Sequence, residues 1–267
     1  MHRRHCAAAA VVSERHQQAW RVALSLFTAI PAGVSGVLDD DVATRAIRWL
    51  PGIGLLLGGI GACVMLAVGS LNSTGPGRLL GAALAVLTGG LHLDGLADTA
   101  DGLASRRPAA DALEIMRRSD IGPMGVGALV LALLVQVTAI AAIPRLPLAA
   151  AALVLAEVTG RVSVVVATSA PAARPGGFGA LVAGRTTAVD RALTAGALTC
   201  AAVMAGLAAG GPALAARGLG AVLAGLLAGW LVQRTAGRQL GGMTGDVFGA
   251  ILQVSATAVL VVAALVS

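Results

Sequence analysis

Charge is scarce in this chain. Of 267 residues only 12% are charged, whereas soluble domains carry roughly 25%. A chain so poor in charge cannot clothe an ordinary water-facing surface. Lysine is absent, so all nineteen basic residues are arginines. They are scattered between apolar runs and do not gather into one stripe, which argues against a nucleic-acid-binding face. Cysteine is rare as well. Cys6, Cys63 and Cys200 have neither pairing nor metal-ligand spacing, and the latter two sit in apolar runs where a small packing residue suffices. The N-terminus has no secretory h-region: the apolar run Ala7 to Val12 is short and Glu14, Arg15 and His16 follow it. Residues 1–18 read as a disordered basic tail. There is no internal repeat and no second, soluble domain, so 19–267 reads as one unit.

What fills the chain is apolar. Hydrophobic residues make up 57% and the mean hydropathy is +0.86. The apolar runs are continuous, without the alternation of a membrane barrel. Only helices satisfy their own backbone in lipid, and a span needs about 20 apolar residues. The fold class expected is therefore all-α, a polytopic transmembrane bundle. Seven spans are predicted: 49–70, 79–97, 124–143, 147–168, 192–210, 213–232 and 247–266. Residues 19–34 form a shorter segment with one apolar side, suited to an interfacial or re-entrant helix. The 36 glycines suit close approach of helices in lipid.

Arginine placement gives the orientation. With the N-terminus in the cytoplasm, the inner loops 1–48, 98–123, 169–191 and 233–246 hold fifteen arginines. The outer side holds three, Arg78 and Arg145 in loops and Arg217 at the outer end of the 213–232 span, and Arg161 lies deeper within a span. The positive-inside rule then places the N-terminus and these four loops inside. Trp20, Trp49 and Trp230 fall near the same boundary, as interfacial anchors do.

Acidic residues concentrate at the inner end of the second span, in Leu91-His92-Leu93-Asp94-Gly95-Leu96-Ala97-Asp98-Thr99-Ala100-Asp101-Gly102. Asp94, Asp98 and Asp101 stand at i, i+4 and i+7, within about 60° of one another on a helix. Carboxylates beside lipid are costly and mark function. Three on one face, with no basic residue at i±3 or i±4, suit a divalent cation; magnesium takes one or two carboxylates together with substrate phosphates. The plainer alternative is a solvated helix end facing loop arginines. His92 faces nearly the opposite way and either supports the site from behind or packs between helices.

Three further inner stretches carry polar chemistry. Arg117 and Arg118, followed by Ser119 and Asp120, suit phosphate contact, since the guanidinium fork matches phosphate oxygens. Arg174 precedes Gly176, Gly177 and Gly179, whose backbone amides could approach an anion. Arg238 leads into Gly241-Gly242-Met243-Thr244-Gly245-Asp246 at the start of the last span. Amides at a helix N-terminus favour anions, though an Asp there can equally be a cap. Within the fourth span Glu157 and Arg161, at i and i+4, read as an intrahelical ion pair.

These stretches, in this order, resemble the cobalamin synthases, the adenosylcobinamide-GDP ribazoletransferase family. His92 to Gly102 is similar to that family's acidic signature and Leu240 to Ala250 to its C-terminal one. Ala23 to Pro31, Arg117 to Gly122 and Arg174 to Gly179 match weaker features. Arg118 and Asp120 stand where many members have the opposite charges, and Gln253 where glutamate is frequent.

The resemblance implies a transferase of the bacterial inner membrane that joins adenosylcobinamide-GDP to α-ribazole or its 5′-phosphate with release of GMP. Mg²⁺ is the implied cofactor. Asp94, Asp98 and Asp101 would be metal ligands. These three and Asp246 would be catalytic. His92, Arg117, Arg118, Ser119, Arg174, Arg238 and Thr244 would be substrate-binding. A homo-oligomer, or association with other corrinoid-pathway enzymes, stays open. Two other readings compete. A CDP-alcohol phosphatidyltransferase also sets aspartates on membrane helices, but with longer spacing than Asp94, Asp98 and Asp101. A cation-coupled transporter would place its acids near the midplane, where only Glu157 stands.

Overall fold

The computed structural model describes residues 19–25, 27–28, 30–33, 40–71 and 91–267. The expected tail, 1–18, and most of the second predicted span, 79–90, lie outside these residues. Nine helices follow in order among the described residues: α1 (Asp40–Arg48), α2 (Leu50–Leu71), α3 (Leu91–Ala104), α4 (Ala109–Ile115), α5 (Pro123–Ala142), α6 (Leu146–Ala167), α7 (Gly177–Val182), α8 (Ala188–Gln239) and α9 (Gly245–Leu265). Residues 19–25 are also helical. The only β feature described is a single parallel bridge, Ala172 to Met243. The all-α class is thus as expected.

Five of these helices are long and apolar enough to cross a membrane: α2, α5, α6, α8 and α9. At 52 residues α8 would reach about 78 Å if straight, far beyond the roughly 30 Å of bilayer hydrocarbon. It does not run straight. Gly211 has φ 74° and ψ −164°, and Pro212 follows. A positive φ suits glycine, and proline has no N–H to continue the ladder. The chain folds back there, so that a Cβ on Gly206 would lie 2.5 Å from Ala215 Cα. α8 is therefore an antiparallel hairpin of two arms. The arms coincide with the separate spans expected at 192–210 and 213–232.

The bundle is organised around α6 and α9. These two are the most buried of the apolar helices, while α5 and α8 leave most of their surface outward. α6 packs against α2, α8 and α9, and α9 also against α3 and α5. Small residues allow close crossings, as helices in lipid require. On α2 a Cβ at Gly54 or Gly58 would fall 2.8 Å from backbone atoms of α6. Buried polar side chains are matched across the bundle. Gln136 of α5 donates to Gln253 Oε1 at 3.0 Å and to Thr257 Oγ1 at 2.8 Å on α9. Gln253 is thus an interhelical tie.

The expected pair within α6 is present. Arg161 is fully buried and donates to the Glu157 carboxylate and, at 3.0 Å, to the Glu157 carbonyl oxygen. Being buried, Arg161 has no route to a phosphate.

The segment expected to lie in the interface or re-enter the membrane is helical over 19–25. Val22, Ala23, Leu24 and Phe27 are buried in a protein cluster with Ile47, Leu50, Met243, Phe248 and Ile251. Its apolar side has a protein partner, and so it docks on the bundle.

Candidate functional site

The four loops predicted to share one side do meet at one end of the bundle. α3 lies across the first turn of α9. A Cβ on Gly95 would lie 2.7 Å from the Asp246 carbonyl oxygen and 3.0 Å from Asp246 Cα. Only glycine permits this approach, which sets the acidic face of α3 beside Asp246. The first turn of α9 is held by Thr244, whose Oγ1 accepts from Val247 N–H at 3.2 Å. Thr244 is therefore the cap, and it is buried. Its hydroxyl also contacts Asp246 Oδ2 at 3.3 Å. The alternative in which Asp246 is the cap gives way to this geometry, and the Asp246 carboxylate is left for other work.

Asp94 is exposed and Asp98 half-buried. Burial, followed by repulsion from Asp94, Asp246 and Asp101, pushes the Asp98 carboxyl up to about 6. Four carboxylates thus share one field, the condition in which a protein stores unfavourable charge for a cation or a proton. Asp101 is occupied differently. Its Oδ2 accepts from Gly122 N–H at 2.7 Å and its Oδ1 from Gly125 N–H at 2.8 Å. Gly122 is the N-cap position of α5, so Asp101 caps α5 from another helix. A Cβ on Gly125 would lie 2.4 Å from Asp101 Oδ2. Carboxylate oxygens have lone pairs beyond these two bonds, but fastening α5 to α3 is the role the contacts describe. We expect Asp101→Ala to lower stability by about 1–2 kcal/mol, as lost caps do, and Gly125→Ala to do the same by blocking the bond. Denaturant titration in micelles would measure both.

Arg174 is brought in by backbone pairing. Ala173 N–H donates to the Met243 carbonyl at 2.9 Å, and Met243 N–H to that of Pro171 at 2.8 Å. Gly179 packs on the same turn: its Cβ would lie 2.9 Å from Thr244 Cα. Gly176 and Gly177 turn the chain at φ 77° and 76°. Between these segments is a cavity of about 160 Å³ lined by Arg174, Gly176, Gly179, Thr244, Gly245 and Asp246. A guanidinium and a helix N-terminus facing one cavity are suited to phosphate oxygens. Arg174 Nη1 is buried without a hydrogen-bond partner.

Not every expected residue joins this constellation. His92 is 3% exposed and stacks on Phe27 at 6.0 Å between centroids. It therefore presents no surface to a substrate and takes the packing role that its opposite-facing position allowed. Arg117, Arg118 and Ser119 are exposed on the loop that Asp101 fastens, and Arg238 is exposed in the last turn of α8. Among the described residues no ion pair joins these arginines to the carboxylates; Arg117 reaches Glu114 at 3.8 Å. Nor do three Asp, Glu, His or Cys side chains converge to enclose a metal by themselves.

Residues 19–264 match the family model described as cobalamin-5-phosphate synthase. The chain belongs to that family. Its relatives span nearly its whole length. A Frankia casuarinae protein named adenosylcobinamide-GDP ribazoletransferase is 36% identical over 92% of this chain and 94% of its own. A Bradyrhizobium diazoefficiens protein of the same name is 40% identical over 91% and 92%. One from Citrobacter koseri is 37% identical over 84% and 89%. No solved structure matches the chain. The protein is accordingly a helical membrane member of a transferase family of cobalamin biosynthesis.

At this end of the bundle, the glycines emerge as site residues in their own right. Gly95, Gly125, Gly179 and Gly242 each stand where a Cβ would strike neighbouring atoms at 2.9 Å or less. The sequence offered their density as a signal, but not the identity of what each one meets.

Proposed function

We propose that the chain joins adenosylcobinamide-GDP to α-ribazole or its 5′-phosphate, releasing GMP, at the end of the bundle where α3 crosses α9. The observation that carries this reading is the Gly95–Asp246 crossing. It sets repelling carboxylates beside a cavity made of Arg174, glycine amides and a helix N-terminus. A diphosphate bridged between acids and a guanidinium needs such a pairing.

The donor set fits magnesium. It is all oxygen and electrostatically crowded at Asp98. Among the described residues no three of these side chains converge on one point, so water and substrate phosphate would have to complete the shell, as magnesium allows. Asp94, Asp98 and, through its remaining lone pairs, Asp101 are the residues that would hold it. Bound there, it would neutralise charge on the diphosphate.

In the reaction a ribose hydroxyl oxygen of α-ribazole bonds to the phosphorus attached to the corrinoid's aminopropanol arm. The bond from that phosphorus to the bridging oxygen breaks, and GMP leaves with the electron pair. The hydroxyl proton passes to a carboxylate, for which Asp246 is the candidate. Arg174 and the amides of Gly176, Gly179 and Gly245 bind phosphate oxygens and hold the diphosphate in line. Arg117, Arg118 and Arg238 raise the positive field at the rim. Transfers of this kind depend on positioning and charge neutralisation. The site would face the cytoplasm of a bacterial inner membrane, in keeping with the arginine bias. Acids gathered at one end of the bundle favour this over a transport path.

The test is incubation of membranes containing the chain with adenosylcobinamide-GDP and α-ribazole 5′-phosphate. Magnesium-dependent release of GMP, matched by a new corrinoid, is expected; no release at any magnesium concentration would overturn the reading. The pH dependence has a definite sign. Asp98 titrates near 6 without metal, so protons compete for it below that value and not above. The magnesium concentration giving half-maximal rate is expected to rise as pH falls from 7 to 5.

A further inference from the structure

At the end of the bundle opposite the carboxylates, a second cavity of about 230 Å³ opens beneath the α8 hairpin turn. Ala151, Ala152 and Leu155 of α6 line one side, and Ala202 and Ala205 of the first α8 arm line another. Alanines and glycines on three helices leave space that larger side chains would fill. Arg217, on the second arm, is the one charged side chain in the lining, which also includes Ser267. It is exposed, and among the described residues no ion pair engages it.

We propose that this cavity binds one glycerophospholipid, with an acyl chain between α6 and the α8 hairpin and the phosphate on Arg217. The lining decides the chemistry of the chain portion. Walls so largely apolar offer water few partners, and an empty groove forfeits dispersion contacts. The helices that form it are long and apolar enough to span a membrane, and its lining is almost wholly apolar. Its volume is below the roughly 300–1,000 Å³ typical of whole small-molecule sites, which suits one segment of a single acyl chain. Arg217 decides the head group. It lies six residues beyond the turn at Gly211, about 9 Å along the helix axis, where a long side chain can rise to the phosphate level. Its charge has the sign that a phosphodiester requires and that a diacylglycerol cannot answer.

The test is native mass spectrometry of the purified chain in detergent. The chain is supplied with dioleoylphosphatidylglycerol or, separately, with dioleoylglycerol. The wild type is expected to retain one phosphatidylglycerol per chain. Arg217→Gln should lower that retention about fivefold, the weight of one exposed ion pair, and leave dioleoylglycerol retention unchanged. Ala205→Phe, which fills the cavity, should abolish retention of both while transferase activity persists. If that variant misfolds, Ala151→Leu supplies the same obstruction from α6. The proposal is overturned if the wild type keeps no lipid or if the filled variants keep as much as the wild type. A lipid-free dimer that Ala205→Phe dissolves would also overturn it, since a second copy would then be the occupant.

Discussion

Replacing Asp98 by asparagine is expected to lower transferase turnover by about 10²-fold or more, the scale of losing a pre-placed transition-state charge, while the fold persists or gains stability. The two halves of this expectation share one cause. The Asp98 carboxyl titrates near 6 because burial and the neighbouring Asp94, Asp246 and Asp101 disfavour its charge. A folded-state value above the ordinary 3.8 means that the protonated form is the stable partner of the fold. That contribution is complete below about pH 4 and is lost as pH rises through 6. Above pH 7 the wild type therefore carries an uncompensated repulsion that a neutral asparagine of the same shape relieves. The melting temperature of Asp98→Asn should match the wild type at pH 4 and equal or exceed it at pH 8, both without magnesium. Stability given up at a working site is a familiar exchange. Turnover per folded molecule at pH 8, measured beside the melting curve, separates a site residue from a structural one. Full activity in the folded variant would remove Asp98 from the mechanism.

How far such a site can be read from sequence depends on the range of the forces that build it. The spans at 49–70, 124–143, 147–168, 192–210, 213–232 and 247–266 were legible because hydropathy is local. The hairpin in α8 was legible because Gly210, Gly211 and Pro212 interrupt an apolar run twice the length of a span. The carboxylate face of α3 followed from helical periodicity, and its link to the Thr244–Asp246 turn followed from arginine counting, which put both at one end. What stayed hidden depends on partners distant in sequence. His92 is neutral as to role until Phe27, 65 residues earlier, is found stacked on it. Asp101 looked like its two neighbours because the amides it caps belong to Gly122 and Gly125. Arg174 had no visible reason to lie beside Asp246 until the bridge between Ala172 and Met243 tied the two segments together. Gln253 looked like a lost acid, and Gln136 on another helix gives it its role.

A side chain at position 95 would test that link directly, and its expected effect is as large as that of Asp98. The Cβ of any residue there would stand 2.7 Å from the Asp246 carbonyl oxygen and 3.0 Å from its Cα. Both are backbone atoms of a capped helix turn, so neither can swing aside as a flexible side chain would. α3 must shift away from α9, and with it Asp94 and Asp98 must shift relative to Asp246. Overpacking of this kind costs about 1–3 kcal/mol, which a bundle held by several other crossings can absorb. A displacement near 1 Å between reacting groups costs about 10²-fold in rate. Gly95→Val is therefore expected to be folded, modestly destabilised and nearly inactive, although it removes no polar atom. Gly127→Ala on α5 is the matched control, since a Cβ there meets nothing within 4 Å; it should retain full activity and melt no lower than the wild type, alanine being the better helix former. Were Gly95→Val as active per folded molecule as Gly127→Ala, the α3–α9 crossing would not be what aligns the carboxylates with the anion cavity, and the site would have to be sought elsewhere on the acidic face.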